Sequence, residues 1–237
     1  MNRIQPQYVT VNAAMTVDGK IDSVERRGAR ISSPSDLERV DRLRAACDAV
    51  LVGGSTLLRD DPALVVRSPL LRAERKACGR SENPAKVAVV SDADIDLSGD
   101  FATAGPARRI VFTTRKTKAE KVKKLLQAGM EVFVEDSERV NLVSAFESLR
   151  LLGIERILVE GGGTLIASLF ELELVDELCV YVAPAVFGGA EAPTLADGSG
   201  LAAGQARRLE LESAEKSDAA GGVLLRYLVA KGERYGP

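Results

Sequence analysis

Three consecutive glycines, Gly161 to Gly163, stand between an apolar run that ends in Glu160 and a second apolar run that begins after Thr164. Glycine lets a backbone approach an anion closely, and the free N–H groups and the dipole at the start of a helix supply positive potential. A turn that only needs a positive φ would require one glycine. The spacing matches neither the dinucleotide-binding fingerprint nor the P-loop, whose lysine is missing. The segment therefore predicts a phosphate-binding turn without identifying the phosphate.

Two further segments combine glycine with side chains that can bind ligands or transfer protons. In NAAMTVDGKI, Asp18 and Lys20 stand in a turn after a predicted strand. In LVGGSTLLRDDPALVVR, two glycines after an apolar run precede Thr56 and the aspartates Asp60 and Asp61. A helix cap at Thr56 and a helix-ending turn at the aspartates are the structural alternatives to ligand binding.

The chain contains no histidine. This absence removes the usual general base, the commonest metal ligand, and every site that pairs serine or cysteine with histidine. The chemistry is therefore expected to use carboxylates, lysine, hydroxyl groups, water or a bound cofactor. We expect no metal site, since the zinc-deaminase signature is also missing.

The composition of the 237 residues limits the partners. With 32 basic and 34 acidic residues, a net charge of −2, no tryptophan and 4% aromatic residues, the chain offers neither the basic field nor the stacking surface that nucleic acids bind. No apolar run reaches the roughly 18–20 residues of a membrane helix, and the first residues lack the apolar segment of a signal peptide. Three widely spaced cysteines suit a reducing compartment. We expect a cytoplasmic protein that binds a small molecule and neither nucleic acid nor a membrane.

The elements that must position these residues alternate between strand and helix. Apolar runs predict strands at residues 8–15, 49–52, 86–90, 109–114, 131–135, 156–160 and 177–184. Helical spacing and boundary residues predict helices at residues 33–47, 117–128 and 141–152, and a short one from Thr164. The tail alternates and turns at Gly221 and Gly222, which predicts a closing antiparallel hairpin.

This order predicts an α/β fold in three layers, with a mostly parallel, mixed central sheet covered by helices on both faces and an antiparallel C-terminal hairpin. No composition break or repeat divides the chain, so we expect a single domain across residues 1–237. The polar residues 68–84, SPLLRAERKACGRSENP, are predicted as an extended excursion.

Several long motifs resemble one family. They are residues 12–21, LRAACDAVLVGGSTLLRDDPALVVR (43–67), LVEGGGTL (158–165) and VDELCVYVAPAVFGGAEAPT (175–194). Together they resemble the riboflavin-biosynthesis reductases, most closely the stand-alone archaeal type, over almost the whole chain. The resemblance implies a dihydrofolate-reductase-like fold, a homodimer, and an NADPH-dependent reduction of a ribosylaminopyrimidine 5′-phosphate to its ribitylamino product. In such enzymes hydride adds to the former anomeric carbon of the open-chain imine.

The resemblance also implies which residues bind NADPH. They are Ala14, Ser32, Thr56, Asp60, Ser91, Asp92, Gly161, Gly162, Gly163 and Thr164. The family usually has VVDS where this chain has VVSDAD, so the contact is assigned to Ser91 or Asp92 without a choice between them. For a 2′-phosphate, the end of a predicted strand offers Thr113, Thr114, Arg115 and Lys116.

On the substrate side, the resemblance implies Arg44, Leu64, Arg67 and Glu160. Arginine suits a phosphate because its planar fork binds two oxygens at once. The candidates for catalysis are Asp18, Lys20 and Glu160. We expect Lys20 to position the substrate, while Asp18 has the alternative of bonding local backbone N–H groups, and water is an alternative source of the proton.

Other functions stay open. The substrate could be the deaminated uracil analogue or a pterin, and a chain with this fold could also bind NADPH as a sensor without oxidising it. Oxidation of NADPH with each candidate substrate separates these alternatives.

Overall fold

The computed structural model describes residues 7–235. The strands in that range are β1 (Tyr8–Thr16), β2 (Ala49–Gly53), β3 (Ala85–Val89), β4 (Arg109–Thr114), β5 (Glu131–Glu135), β6 (Arg156–Val159), β7 (Glu177–Ala183), β8 (Arg207–Lys216) and β9 (Val223–Arg234). The helices are α1 (Pro34–Ala46), α2 (Gly54–Asp60), α3 (Pro69–Ala77), α4 (Asp100–Thr103), α5 (Ala119–Gln127), α6 (Leu142–Leu151) and α7 (Gly163–Glu171). A 3₁₀ turn spans Ala203–Gln205.

The predicted strands and helices are present, and their ends differ from the prediction by at most two residues. Ser33 caps α1, as predicted, because its hydroxyl accepts the N–H of Asp36 at 3.2 Å. The antiparallel C-terminal hairpin is formed by β8 and β9. The α/β class is therefore confirmed.

The prediction for residues 68–84 is wrong, because Pro69–Ala77 form α3. The side of this helix that faces the protein interior carries an arginine at a position where an apolar residue would have continued the helical spacing. Arg75 is 5% exposed, and its guanidinium donates to the carbonyl oxygens of Ala45 and Cys47 at 2.7 and 2.8 Å. The apolar spacing that normally indicates a helix is therefore hidden.

The chain divides into two compact units. The first contains residues 41–158 and Gln7, and its strands lie in the order β5-β4-β3-β2-β6. The pairs β2–β3, β3–β4 and β4–β5 are parallel. Its core is an apolar cluster that includes Val52, Leu57 and Phe101. Parallel strands that are buried on both faces explain the continuous apolar runs in this part of the sequence.

The second unit contains residues 8–40 and 159–235, with strands in the order β1-β7-β9-β8. Here β1 and β7 are parallel, whereas β7–β9 and β8–β9 are antiparallel. The prediction of a single domain across residues 1–237 stays a prediction, and residues 1–6 and 236–237 lie outside the described range. No helix within residues 7–235 combines the length and apolar character needed to cross a membrane.

Candidate functional site

The glycine turn follows β6, leads into α7 and belongs to the second unit. Gly161 has φ +106°, and a Cβ atom built on it would meet no atom within 4 Å, so the turn faces open space at this residue. The Gly161–Gly162 peptide bond is cis. Gly162 is the N-cap of α7 and offers no side chain. Within residues 7–235, the N–H groups of Gly163 and Thr164 donate no hydrogen bond. Unpaired N–H groups at the start of a helix suit an anion.

Asp18 lies in the turn after β1, and its carboxylate already has three donors. The Thr16 hydroxyl donates to it at 2.5 Å, and the backbone N–H groups of Phe187 and Gly188 donate at 3.3 and 2.7 Å. The hydrogen bond from Thr16 is the main cause of a lowered pKa of the Asp18 carboxyl, and the two backbone donors add to it. Asp18 is therefore a charged acceptor at neutral pH, which favours the alternative of local backbone bonding.

Lys20 is attached to the segment that precedes Asp197. Its ammonium Nζ donates to the carbonyl oxygen of Ala192 at 3.2 Å, and Lys20 forms an isolated antiparallel bridge with Thr194. The N–H of Ile21 donates to the carbonyl of Pro193 at 3.0 Å. Contacts of its backbone and of its side chain therefore both hold Lys20 in place.

The same segment reaches the glycine turn. The N–H of Asp197 donates to the carbonyl of Gly163 at 3.1 Å, and a Cβ on Gly163 would overlap the carbonyl oxygen of Thr194. The Asp197 carboxylate accepts the N–H and the hydroxyl of Thr194 at 3.1 and 2.5 Å. Residues 192–197 thus contact both Lys20 and Gly163, two predicted site residues. Sequence reasoning missed Thr194 and Asp197; Thr194 ends a motif that carried the resemblance, whereas Asp197 lies three residues beyond that motif.

The other predicted residues of the second unit have less definite surroundings. Ala14 lies on β1 and Ser32 precedes the cap of α1, and both are half-buried. Glu160 follows β6 directly and is also half-buried. These positions leave their predicted ligand contacts as predictions.

In the first unit, Thr56 and Asp60 lie on α2, after the two glycines at the junction of β2 and α2. The neighbouring Asp61 has a structural role, because its carboxylate accepts the N–H groups of Asp100 and Phe101 at 2.6 and 2.9 Å and so caps α4. The two adjacent carboxylates therefore differ in their surroundings. Asp60 is exposed and Thr56 is half-buried, so both can reach a ligand.

Ser91 and Asp92 follow β3, and their surroundings distinguish them. The carboxylate of Asp92 lies 3.5 Å from the ammonium of Lys121. The carbonyl of Ser91 accepts the Thr114 hydroxyl at 2.7 Å, while the Ser91 hydroxyl makes no hydrogen bond within the described part of the chain. These contacts favour Ser91 as the ligand residue of the pair.

The four residues suggested for a 2′-phosphate are either buried or paired with other residues of the protein. Thr113 and Thr114 have no exposed surface, so that part of the suggestion is wrong. Arg115 and Lys116 are exposed but form ion pairs with Glu138 at 2.8 and 3.0 Å. A phosphate would have to displace these pairs.

The substrate-side residues of the first unit lie together. The Arg44 guanidinium, on α1, donates to the carbonyl of Val65 at 3.1 Å, between Leu64 and Arg67. The buried carboxylate of Asp41, also on α1, accepts the N–H of Arg67 at 2.6 Å. Sequence reasoning missed Asp41, although its spacing of three from Arg44 places both on one helix face.

Leu64 can contact a substrate only through its backbone. Its side chain is 1% exposed and belongs to the apolar core of the first unit, and its φ is +49°. Arg67, in contrast, is exposed. Arg44 and Arg67 are therefore the two side chains of this group that suit a phosphate.

Comparison with known proteins supports the family that the sequence resembles. The family model described as RibD C-terminal domain matches residues 7–222. The 2,5-diamino-6-ribosylamino-4(3H)-pyrimidinone 5′-phosphate reductase of Archaeoglobus fulgidus is 44% identical, over 81% of this chain and 86% of that protein. The enzyme of the same name from Methanothermobacter thermautotrophicus is 39% identical, over 86% of this chain and 91% of that protein.

A solved structure extends the likeness to the fold. A pyrimidine reductase-like protein from Corynebacterium diphtheriae superposes with a TM-score of 0.81 at 22% identity, over 95% of this chain and 92% of that one. At this identity the likeness concerns the fold alone. It confirms the fold class predicted from the sequence.

Proposed function

The chain belongs to the RibD C-terminal domain family, and from this premise we propose that it reduces the ribosyl side chain of 2,5-diamino-6-(ribosylamino)-4(3H)-pyrimidinone 5′-phosphate to the ribityl product, with NADPH as hydride donor. The observation that supports this proposal most strongly is the 44% identity to the archaeal reductase over most of both chains. The protein is an oxidoreductase of riboflavin biosynthesis that uses a nicotinamide cofactor. The choice of NADPH over NADH belongs to the proposal.

The glycine turn fits the diphosphate of such a cofactor. Gly161 to Gly163 and Thr164 combine open space at Gly161 with unpaired N–H groups at the start of α7. When bound, the cofactor supplies the hydride. Ala14, Ser32, Thr56, Asp60 and Ser91 are proposed as its further contacts, each by resemblance. This division of roles explains how a chain without histidine can catalyse a reduction.

The substrate phosphate is assigned to Arg44 and Arg67. The Arg44 guanidinium is held against the carbonyl of Val65, whereas Asp41 holds only the backbone N–H of Arg67, so Arg44 is the side chain that starts from a fixed position. A fixed guanidinium loses less conformational entropy when it binds a phosphate than a free one does. Glu160 is assigned to the pyrimidine or to the hydroxyl groups of the open-chain sugar.

The reaction adds hydride to the imine carbon and a proton to the adjoining nitrogen. Asp18 is a poor donor of this proton, because its carboxylate is kept charged by three hydrogen bonds. The Lys20 ammonium donates to Ala192 and is assigned to positioning. The catalytic roles of Asp18, Lys20 and Glu160 stay predictions, and we propose that water supplies the proton.

The test is oxidation of NADPH by the purified protein with the diamino substrate, the deaminated uracil analogue and dihydrofolate in parallel. We expect turnover with the diamino compound and a product that has gained two hydrogen atoms. Faster turnover with the deaminated compound would move the reaction after deamination. A protein that binds NADPH but oxidises it with none of the three would be a sensor, and the proposed reaction would be rejected.

The resemblance also carries two proposals about the state of the protein. We propose a homodimer, which sedimentation measures directly, and a cytoplasmic location. Neither proposal affects the assignment of the residues above.

A further inference from the structure

Two residues without a role in the proposed reaction, Thr194 and Asp197, connect Lys20 with the first turn of α7. Lys20 bridges Thr194, both donors of Thr194 converge on the Asp197 carboxylate, and the N–H of Asp197 donates to Gly163. We propose that Asp197 is a positioning residue that holds Lys20 and the start of α7 in one fixed relation. This inference rests on the proposed function, because it gives both of these groups a part in the reduction.

A carboxylate suits this position better than a neutral group. Its Oδ1 atom accepts two hydrogen bonds from Thr194, and charged acceptors form stronger hydrogen bonds than neutral ones. Its Oδ2 atom lies 3.0 Å from the point where a Cβ of Gly163 would stand, close to the first turn of α7. The positive end of the helix dipole stabilises a negative charge there. An amide would direct its N–H₂ group or a weaker acceptor at these same partners.

The contact with Gly163 leaves little freedom for movement. The backbone of Thr194 lies so close to Gly163 that a single methyl group would not fit between them. Gly163 carries one of the two unpaired N–H groups that are assigned to the cofactor diphosphate. A shift of the segment from Ala192 to Asp197 would therefore move these donors and the bridge to Lys20 at the same time.

This arrangement predicts a specific pattern of kinetic defects. Loss of the Asp197 carboxylate should weaken cofactor binding and lower kcat together, because both groups are attached to the segment. The KM for the pyrimidine phosphate should change less, because Arg44 and Arg67 are held by contacts within the first unit. A purely structural role would lower thermal stability without this division between kcat and KM.

The experiment compares Asp197→Ala, Asp197→Asn and Thr194→Val with Glu191→Gln. Glu191 is an exposed carboxylate six residues earlier, and its replacement also removes one negative charge, which makes it the matched control. NADPH affinity is measured by fluorescence titration without substrate, and thermal unfolding is recorded for every variant. We expect the NADPH Kd of Asp197→Ala to rise about 10-fold, the scale of a lost hydrogen bond to a charged group. We expect its kcat to fall about 100-fold, the scale of a displacement of about 1 Å.

Asp197→Asn and Thr194→Val should show smaller defects of the same kind, and Glu191→Gln should behave as the wild type. The positioning role is then tested through Lys20 with Lys20→Met, alone and combined with Asp197→Ala. If Asp197 acts on kcat through Lys20, the double variant is little slower than Lys20→Met, while its loss of NADPH affinity persists. Strictly additive effects on kcat, or an unchanged NADPH Kd in folded Asp197→Ala and Asp197→Asn, would overturn the inference. A wild-type protein that fails to reduce the substrate rejects the proposed function instead, and the titration still decides whether Asp197 positions the helix start.

Discussion

Two buried strands, β2 and β6, are each followed by glycines and a helix, and the glycines of the two turns meet different requirements. In the first unit, Gly54 lies against the side chain of Val90, and a Cβ added to this glycine would stand 3.0 Å from a methyl carbon. In the second unit, Gly161 has a positive φ and Gly163 lies against the backbone of Thr194. A side chain can rotate away from an added methyl group, whereas a hydrogen-bonded backbone cannot. Similar sequence patterns therefore differ in how much change they tolerate.

The two units also differ in how they hold a helix, as α4 of the first unit and α7 of the second unit show. In the first unit, buried or partly buried charges hold α4: Asp61 accepts at its start, and the Lys86 ammonium donates to the carbonyls of Asp100, Phe101 and Ala104 at its end. In the second unit, close backbone packing and Asp197 hold the start of α7. A substitution that fills a tight space and one that removes a charge should therefore each change the stability of the two units to different extents.

The largest expected effect comes from Gly163→Ala. The added methyl group would overlap the Thr194 carbonyl oxygen, so we expect a loss of about 3 kcal/mol in the free energy of unfolding, the upper part of the range for overpacking. NADPH binding should be lost with it. The matched variant is Gly54→Ala, for which relief at Val90 and better helix propensity should keep the loss below about 1 kcal/mol. Denaturant unfolding of both variants measures the difference, and equal losses would contradict the distinction between the two turns.

The second effect concerns Lys86, the buried side chain that donates to carbonyl oxygens of Asp100, Phe101 and Ala104. Burial is the main cause that lowers the pKa of Lys86 to about 8, and the nearby Arg109 adds to it. In the unfolded chain an ordinary lysine keeps its proton up to about pH 10.4, so the unfolded state binds more protons between the two values. The contribution of Lys86 to the free energy of unfolding therefore rises between about pH 8 and about pH 10.4, by about 3 kcal/mol in total.

Lys86→Met removes the charge and keeps the length of the side chain, so the rise in this pH window should disappear. The measurement is the free energy of unfolding against pH for both proteins. Their difference isolates Lys86 from groups that titrate in the opposite sense, such as Cys179, whose pKa burial raises to about 11. Parallel curves for the two proteins would show that Lys86 is not the source of the pH dependence.

The smallest of the three effects on free energy separates substrate binding from cofactor binding. We expect Arg44→Ala to raise the KM for the phosphorylated substrate by roughly 10- to 100-fold, since a hydrogen bond to a charged group is worth about 1.5–3 kcal/mol. NADPH affinity should not change. The control is Arg42→Ala, which removes an exposed arginine from the same helix. If Arg44→Ala still preferred phosphorylated over dephosphorylated substrate as strongly as the wild type, another residue would bind the phosphate.

Much of the fold was predictable because its signals are local. The apolar runs of the parallel strands, the Ser33 cap of α1 and the alternating tail each depend on neighbours in sequence. Helix α3 was missed because a buried arginine, Arg75, interrupts its apolar face, although Ser68 and Pro69 repeat the start signal of α1. The short helix α4 has too few residues to show any period.

The sequence by itself determined that a strand ends in a glycine turn before α7, that no histidine takes part, and which side chains resemble those of a reductase. Only the tertiary structure decided which glycine meets which requirement, that Asp61 caps a helix while Asp60 faces solvent, and that Asp41 and Asp197 hold the predicted ligand residues. The physical reason is distance along the chain. Secondary structure depends on residues a few positions apart, whereas Thr194 and Asp197 reach Gly163 only after the chain has passed through α7 and β7.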